Sequence, residues 1–235
     1  MKRLCTICAR SGSKGVVNKN IREIDGKPLL AYSILQAKAS NLFQAIAVSS
    51  DSTEILDLAS RCEVDYLIER PMYLATDHAP KIPVIQHALL TVEELANQYF
   101  DIIVDLDVTS PLRYVSDISD VVNLLETKGV SNVITGTPAR RSPYFNIVEI
   151  NDEGIVQLSK SLERPIFCRQ DAPKAYDLNA SIYAWQRLVL LECKTIFNKD
   201  TLLYIMPEER SIDIDSELDF EYVKLLMSKR GNGID

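Results

Sequence analysis

Apolar residues in this chain gather in short runs, and the runs alternate with stretches in which apolar positions recur every three to four residues. The run LCTICA, residues 4–9, is long enough for one buried strand. From Pro28 the text PLLAYSILQAKAS, apolar at Leu29, Leu30, Ile34 and Ala37, predicts a helix with a proline near its first position. AIAVSSD (45–51) reads as a second buried strand ending in polar residues, and Ser52 or Thr53 caps the helix TEILDLASRC. VDYLIE (64–69) is a third strand, followed by a loop over residues 70–77 and a long helix over about 82–98. DIIVDLD (101–107) is the next strand, TSPLR a turn, and a further helix begins near Ser116. Strands and helices alternating at these lengths predict an α/β fold, a wound, mostly parallel sheet covered on both faces.

The pattern changes after Gly129. SNVITGTPA is one more strand, but FNIVEI, IVQLS and PIFCRQ read as strands joined by turns without long helices. A β-rich excursion over residues 139–174 is expected, serving as a lid, a dimer contact or a cover for the sheet edge. The core resumes with SIYAWQ, a short helix near LVLLEC and the strand TLLYIMP, and SIDIDSELD opens the last helix, FEYVKLLMSKR. The tail GNGID continues no pattern and is expected to be mobile. At 235 residues, with 46% hydrophobic content, this is one domain over 1–235 carrying that excursion.

Charge sharpens the picture. A net charge of −7 argues against a nucleic-acid binder, which needs a basic face. Yet between Arg10 and Lys27 stand five cations (Arg10, Lys14, Lys19, Arg22, Lys27) against two acids, Glu23 and Asp25. A nucleoside triphosphate would find its local field there. No run approaches the roughly eighteen apolar residues of a membrane span, and the first apolar run is too short for a signal peptide. Five scattered cysteines fit ordinary thiols of a reducing cytoplasm. Cys5 and Cys8 would face opposite sides of a strand, which disfavours a shared metal. Two histidines, His78 and His87, leave little material for a Ser–His–Asp device.

The candidate chemistry lies at two stretches. ARSGSKGVVNKN follows the first strand with glycines that let backbone N–H groups approach phosphates, and with cations to neutralise them. It is neither a Walker A loop nor a dinucleotide fingerprint, and the absent G-x-G-x-x-G disfavours a dehydrogenase. In SIDIDSELD, Asp213 and Asp215 stand two apart, so on an extended segment both point to one side and suit Mg²⁺. Glu217 and Asp219 lie at a helix amino terminus, where capping accounts for them. Arg10, Ser50, Asp51, Asp107 and Ser110 all fall at the carboxyl ends of predicted strands, where wound sheets bind ligands.

With ARSGSKGVVNKN, the loop from Arg70-Pro71 to Leu74-Ala75-Thr76-Asp77, TSPLR, NASIY and SIDIDSELD in that order, the chain resembles the CMP-sialic acid synthetases. These are Rossmann-like nucleotidyltransferases that condense CTP with a nonulosonic acid and release pyrophosphate. The resemblance implies a Mg²⁺-dependent, cytoplasmic homodimer joined through the excursion, with no nucleic-acid or membrane partner. It implies nucleotide binding by Arg10, Ser11, Gly12, Lys14, Lys19, Asn20, Arg70 and Lys81, with catalytic roles for Lys19, Arg10 and Asp215. Metal would be held by Asp213 and Asp215. Sugar contacts would come from Asp107, Thr109, Ser110, Arg169, Asp177, Asn179 and Tyr183, with Tyr144 and Phe145 lining the pocket or packing in a core. Members specific for N-acetylneuraminate commonly carry Ser at 81, Gln at 107 and Arg at 177, where this chain has Lys81, Asp107 and Asp177. DLDVTSPLR, ARRSPYFN and YDLNASIY resemble instead the branch that activates legionaminic acid. Other 2-keto sugar acids, or a nucleotide sensor without turnover, are the alternatives; the presence of Lys19, Asp213 and Asp215 disfavours the sensor.

Overall fold

The computed structural model describes residues 1–12, 15–164 and 166–230. Lys14, Pro165 and the tail 231–235 lie outside the described residues. The chain begins with β1 (Arg3–Cys8), a two-residue hairpin of β2 (Glu23–Ile24) and β3 (Lys27–Pro28), and α1 (Leu29–Ser40). Next come β4 (Ala45–Ser50), α2 (Thr53–Arg61), β5 (Tyr66–Glu69), α3 (Lys81–Ala96), β6 (Ile102–Leu106) and α4 (Val115–Lys128). β7 (Asn132–Pro138) precedes a small hairpin of β8 (Val148–Ile150) and β9 (Val156–Leu158). β10 (Tyr176–Gln186), α5 (Arg187–Glu192), β11 (Leu202–Ile205) and α6 (Glu217–Arg230) complete it.

Seven strands form one sheet in the order β11-β7-β10-β6-β1-β4-β5. Every pairing is parallel except those of β10 with β6 and with β7. The wound sheet of the sequence reading is therefore present, with one reversed strand. Both faces are covered, so its central strands are apolar on both sides rather than alternating. In β1, Cys5 and Ile7 enter a core packed by α1, α2, α4 and α6, while Leu4 enters a second core packed by α3 and α5. No helix among the described residues is long and apolar enough to cross a membrane.

Local chemistry sets the boundaries. The Ser52 hydroxyl accepts from Ile55 N at 3.4 Å and starts α2, one of the two caps expected. Asp117 accepts from Tyr114 N at 2.8 Å at the start of α4, and Gly129, at φ +61°, closes that helix in the left-handed region. Asp25-Gly26, both at positive φ, make the tight turn between β2 and β3, a hairpin the hydrophobic pattern alone does not announce.

One expected strand is absent. Residues 166–171 form bends and a short 3₁₀ turn over Arg169–Asp171, closed by Asp171 N to Cys168 O at 3.1 Å. The two-stranded β8–β9 sheet does not extend to it, so the segment finds no ladder and its backbone bonds locally.

Candidate active site

The order of the sheet reverses at β1, with β4 laid on one side and β6 on the other, and a crevice opens at the carboxyl ends of these strands. The loop leaving β1 crosses that crevice and is fixed by its own polar groups. Ser11 donates from N and Oγ to Asp51 at 2.9 and 2.6 Å, and Asn20 Nδ2 donates to Arg10 O at 2.9 Å. Burial would push the Asp51 carboxyl up, but the two Ser11 hydrogen bonds outweigh it and hold its pKa below the usual value. Arg10 is ion-paired with Asp77 from the loop before α3. A Cβ on Gly15 would lie 1.9 Å from Asp215 O, so only glycine lets the loop pack on the acidic segment.

Lys19 opens a 3₁₀ turn over Lys19–Ile21 and reaches across to that segment. Its Nζ donates to Ile214 O and stands 3.9 Å from Asp215 Oδ1, with the side chain 11% exposed. Arg70 is buried, donating from Nε to Ser49 Oγ at 3.2 Å and from Nη2 to Ser49 O at 2.6 Å. Arg10, Gly12, Lys19, Asn20, Arg70, Lys81, Asp107 and Thr109 line one cavity of about 240 Å³. Eight residues expected at the site from sequence are thus brought together; Lys14 lies outside the described residues.

At the cavity floor Lys81 stands among acids. Its Nζ is 2.6 Å from Asp107 Oδ2, 3.2 Å from Asp105 Oδ2 and 4.5 Å from the Tyr183 ring centroid. Burial opposes the ammonium, yet Asp107 and Asp105 outweigh it and hold its pKa above the ordinary lysine value. Burial likewise opposes the Asp107 carboxylate, but Lys81 and the Thr109 N–H and hydroxyl bring its pKa down to about 2. The Tyr183 ring stacks on Trp185, centroids 5.5 Å apart.

Residues 211–215 form neither helix nor strand, and their side chains differ in exposure. Ile214 is fully buried, whereas Asp215 is 83% exposed on the side chain. Asp213 Oδ1 is buried without a hydrogen-bond partner. Burial, then the Asp107 and Asp215 carboxylates, push the Asp213 pKa up. The buried orphan oxygen of Asp213 is a group that a hard cation would satisfy, and Mg²⁺ takes one or two carboxylates plus phosphate and water. The pair therefore fits the ion. Among the described residues no group of three or more His, Cys, Asp or Glu side chains is placed to hold a metal ion.

Other expected sugar contacts lie elsewhere. Ser110 and Asn179 are buried behind the cavity wall. The Ser110 hydroxyl donates to Asn179 O at 3.0 Å, while Asn179 accepts from Thr135 Oγ1 at 2.6 Å and donates to Ser211 Oγ at 2.9 Å. Their polar groups are engaged within the chain. Arg169 lines a separate cavity of about 350 Å³ with Arg141, Lys174 and Tyr176. Asp177 is exposed at the start of β10. Tyr144, under Lys160 Nζ, and Phe145 sit on the excursion and line neither cavity.

Sequence reasoning missed Asp105 and Arg113. Asp105 is buried in β6, where its Oδ1 accepts from Thr6 at 2.8 Å. Arg113, wholly buried, donates to Ser110 O, Ser181 O, Ser33 Oγ and Asp107 O, and burial lowers its pKa to about 10. An acid inside an otherwise apolar run, DIIVDLD, was the one available signal for Asp105.

A mostly parallel, Rossmann-like sheet whose reversal point carries a glycine-bearing loop opposite two carboxylates is where a wound-sheet nucleotidyltransferase would bind its nucleotide. The family described as "Cytidylyltransferase" matches residues 4–158, and the chain belongs to that family. A protein of Campylobacter jejuni named CMP-N,N'-diacetyllegionaminic acid synthase is 48% identical over 96% of this chain and 94% of its own. Post-translational flagellin modification protein B of Campylobacter coli is 46% identical over 97% and 95%. The solved structure of a CMP:2-keto-3-deoxy-manno-octonic acid synthetase complexed with CTP has a TM-score of 0.72 at 16% identity, covering 98% of this chain and all of that one, a likeness of fold.

Proposed function

We propose that this cytidylyltransferase transfers CMP from CTP to the anomeric hydroxyl of a nine-carbon nonulosonic acid of the legionaminic type and releases pyrophosphate. The full-length relative named CMP-N,N'-diacetyllegionaminic acid synthase carries the choice of sugar. In this reading Arg10, Asn20, Arg70 and the backbone around Gly12 bind the nucleotide, and CTP exchanges for Asp77 at Arg10. Lys14 and Ser11 belong to the same nucleotide-binding set expected from sequence. Lys19, nearly enclosed, stabilises charge developing at the α-phosphate. The sugar hydroxyl oxygen bonds to the α-phosphorus as the bond to the β-phosphate oxygen breaks, and the hydroxyl proton leaves to an Asp215 carboxylate oxygen. When held by Asp213 and Asp215, Mg²⁺ supplies neutralisation of the triphosphate.

The enzyme acts as a cytoplasmic homodimer in this proposal. Supporting the dimer, the cross-strand pairs Ile150–Val156 and Val148–Leu158 of the excursion are exposed, at 71% and 60% for the first, an apolar face of the kind a partner covers. Arg169 and Asp177, away from the cavity of their own chain, would then serve a site across the dimer. The test is ³¹P NMR with CTP, Mg²⁺ and, separately, N,N'-diacetyllegionaminic and N-acetylneuraminic acids. Pyrophosphate and a phosphodiester resonance are expected; neither acid giving them would overturn the proposal.

A further inference from the structure

Resting on the cytidylyl transfer proposed above, we infer that Lys81 is a positioning residue that acts on Lys19 through Asp107, Thr109 and Ile214, rather than a contact to nucleotide or sugar. Its ammonium donates to Asp107 Oδ2 at 2.6 Å, is ion-paired with Asp105 Oδ2 at 3.2 Å and stands 4.5 Å from the Tyr183 ring centroid, so its charge is already engaged within the chain. Asp107 is occupied in turn, its Oδ1 accepting from Thr109 N at 3.1 Å and from Thr109 Oγ1 at 2.9 Å. The Thr109 carbonyl accepts from Ile214 N at 3.0 Å, and the Ile214 carbonyl accepts from Lys19 Nζ.

Each link is a hydrogen bond, and the chain runs from the first residue of α3 to the lysine beside the acidic pair. Ile214 is the pivot. Its side chain is wholly buried, and both polar groups of its backbone are held, so its placement sets Lys19 on one side and the carboxylates at 213 and 215 around it. Without Lys81, two buried carboxylates repel, Asp107 loses the ammonium that fixes it, and Thr109 and Ile214 lose their register. Displacement of this size costs turnover more than binding, because catalysis depends on alignment that ground-state affinity does not need.

Lys81→Met, Lys81→Arg and Thr109→Val separate the possibilities. For Lys81→Met, kcat falls about tenfold or more while KM for CTP and for the sugar acid changes less than about threefold. Calorimetric CTP binding in chelator, where no metal contributes, stays within about threefold of wild type. Lys81→Arg restores part of kcat. Combining Lys81→Met with Thr109→Val costs less than the product of the two single losses. Should Lys81→Met fail to fold, Thr109→Val alone tests the relay, since it removes the hydroxyl on Asp107 and keeps the backbone; unchanged kcat then overturns the inference. A tenfold weaker CTP affinity in chelator, or a raised sugar KM with intact kcat, makes Lys81 a ligand contact and also overturns it. Absence of turnover by the wild type would instead sink the proposed reaction, and the chelator arm would still decide what Lys81 touches.

Discussion

Replacing Lys81 by methionine should cost the fold about 3 kcal/mol at pH 7, in a way that depends on pH. Lowering the Asp107 carboxyl to about 2 corresponds to ~2.5 kcal/mol of stabilisation at neutral pH, and its side chain is only 23% exposed, so little of this is screened away. Asp105, 1% exposed, loses the same partner and adds to the cost. The Arg113 guanidinium remains close to both acids and keeps the total toward the lower end of the ~3–5 kcal/mol range for a broken buried pair. In the wild type, the Asp107 contribution is present above the carboxylate's unfolded pKa and is lost as pH falls toward 2. In the variant the Asp107 carboxylate lacks its ammonium and keeps the Thr109 hydrogen bonds and the nearby Arg113, so this contribution is missing at pH 7 and the two stability curves converge on acidification. The gap between the proteins therefore narrows by ~1 kcal/mol between pH 7 and 3. Urea titration followed by the fluorescence of Trp185, the one tryptophan and wholly buried, reads both curves. A gap below ~1 kcal/mol at pH 7, or one that stays flat on acidification, refutes the reasoning.

Three further outcomes follow from the same geometry. Lys19→Ala lowers kcat by about a hundredfold or more with less than about fivefold change in CTP affinity, and equal losses would make it a binding residue. Asp215→Asn abolishes the Mg²⁺-dependent activity measured as pyrophosphate release, whereas an unchanged metal titration would leave the acidic pair a structural role. Gly15→Ala places a methyl 1.9 Å from the Asp215 carbonyl, so loop or acidic segment shifts and kcat/KM falls about tenfold or more; wild-type kinetics would contradict that packing.

The layered sheet was legible because buried parallel strands leave continuous apolar runs and amphipathic helices leave a period near 3.6. The site was legible where its residues are neighbours in sequence, as in the basic loop and SIDIDSELD. Contacts made by register were not. Lys81 and Asp107 are 26 positions apart and meet only because α3 begins where β6 ends. Arg113 ends the TSPLR turn, and the fold surrounds it with backbone carbonyls that no local pattern announces. Ser110 and Asn179 sit in motifs, but the fold engages their polar groups internally: Ser110 donates to Asn179 O, and the Asn179 amide pairs with Thr135 and Ser211. The missing strand at PIFCRQ has the same origin, since β-propensity in a segment says nothing of whether an edge stands beside it.

The measurement closest to the central claim is the ratio of kcat/KM for N,N'-diacetyllegionaminic acid over N-acetylneuraminic acid, read from pyrophosphate release at saturating CTP and Mg²⁺. A ratio of about ten or more, ~1.4 kcal/mol in transition-state stabilisation, is the result expected. A ratio below one would keep cytidylyl transfer and contradict the legionaminic assignment.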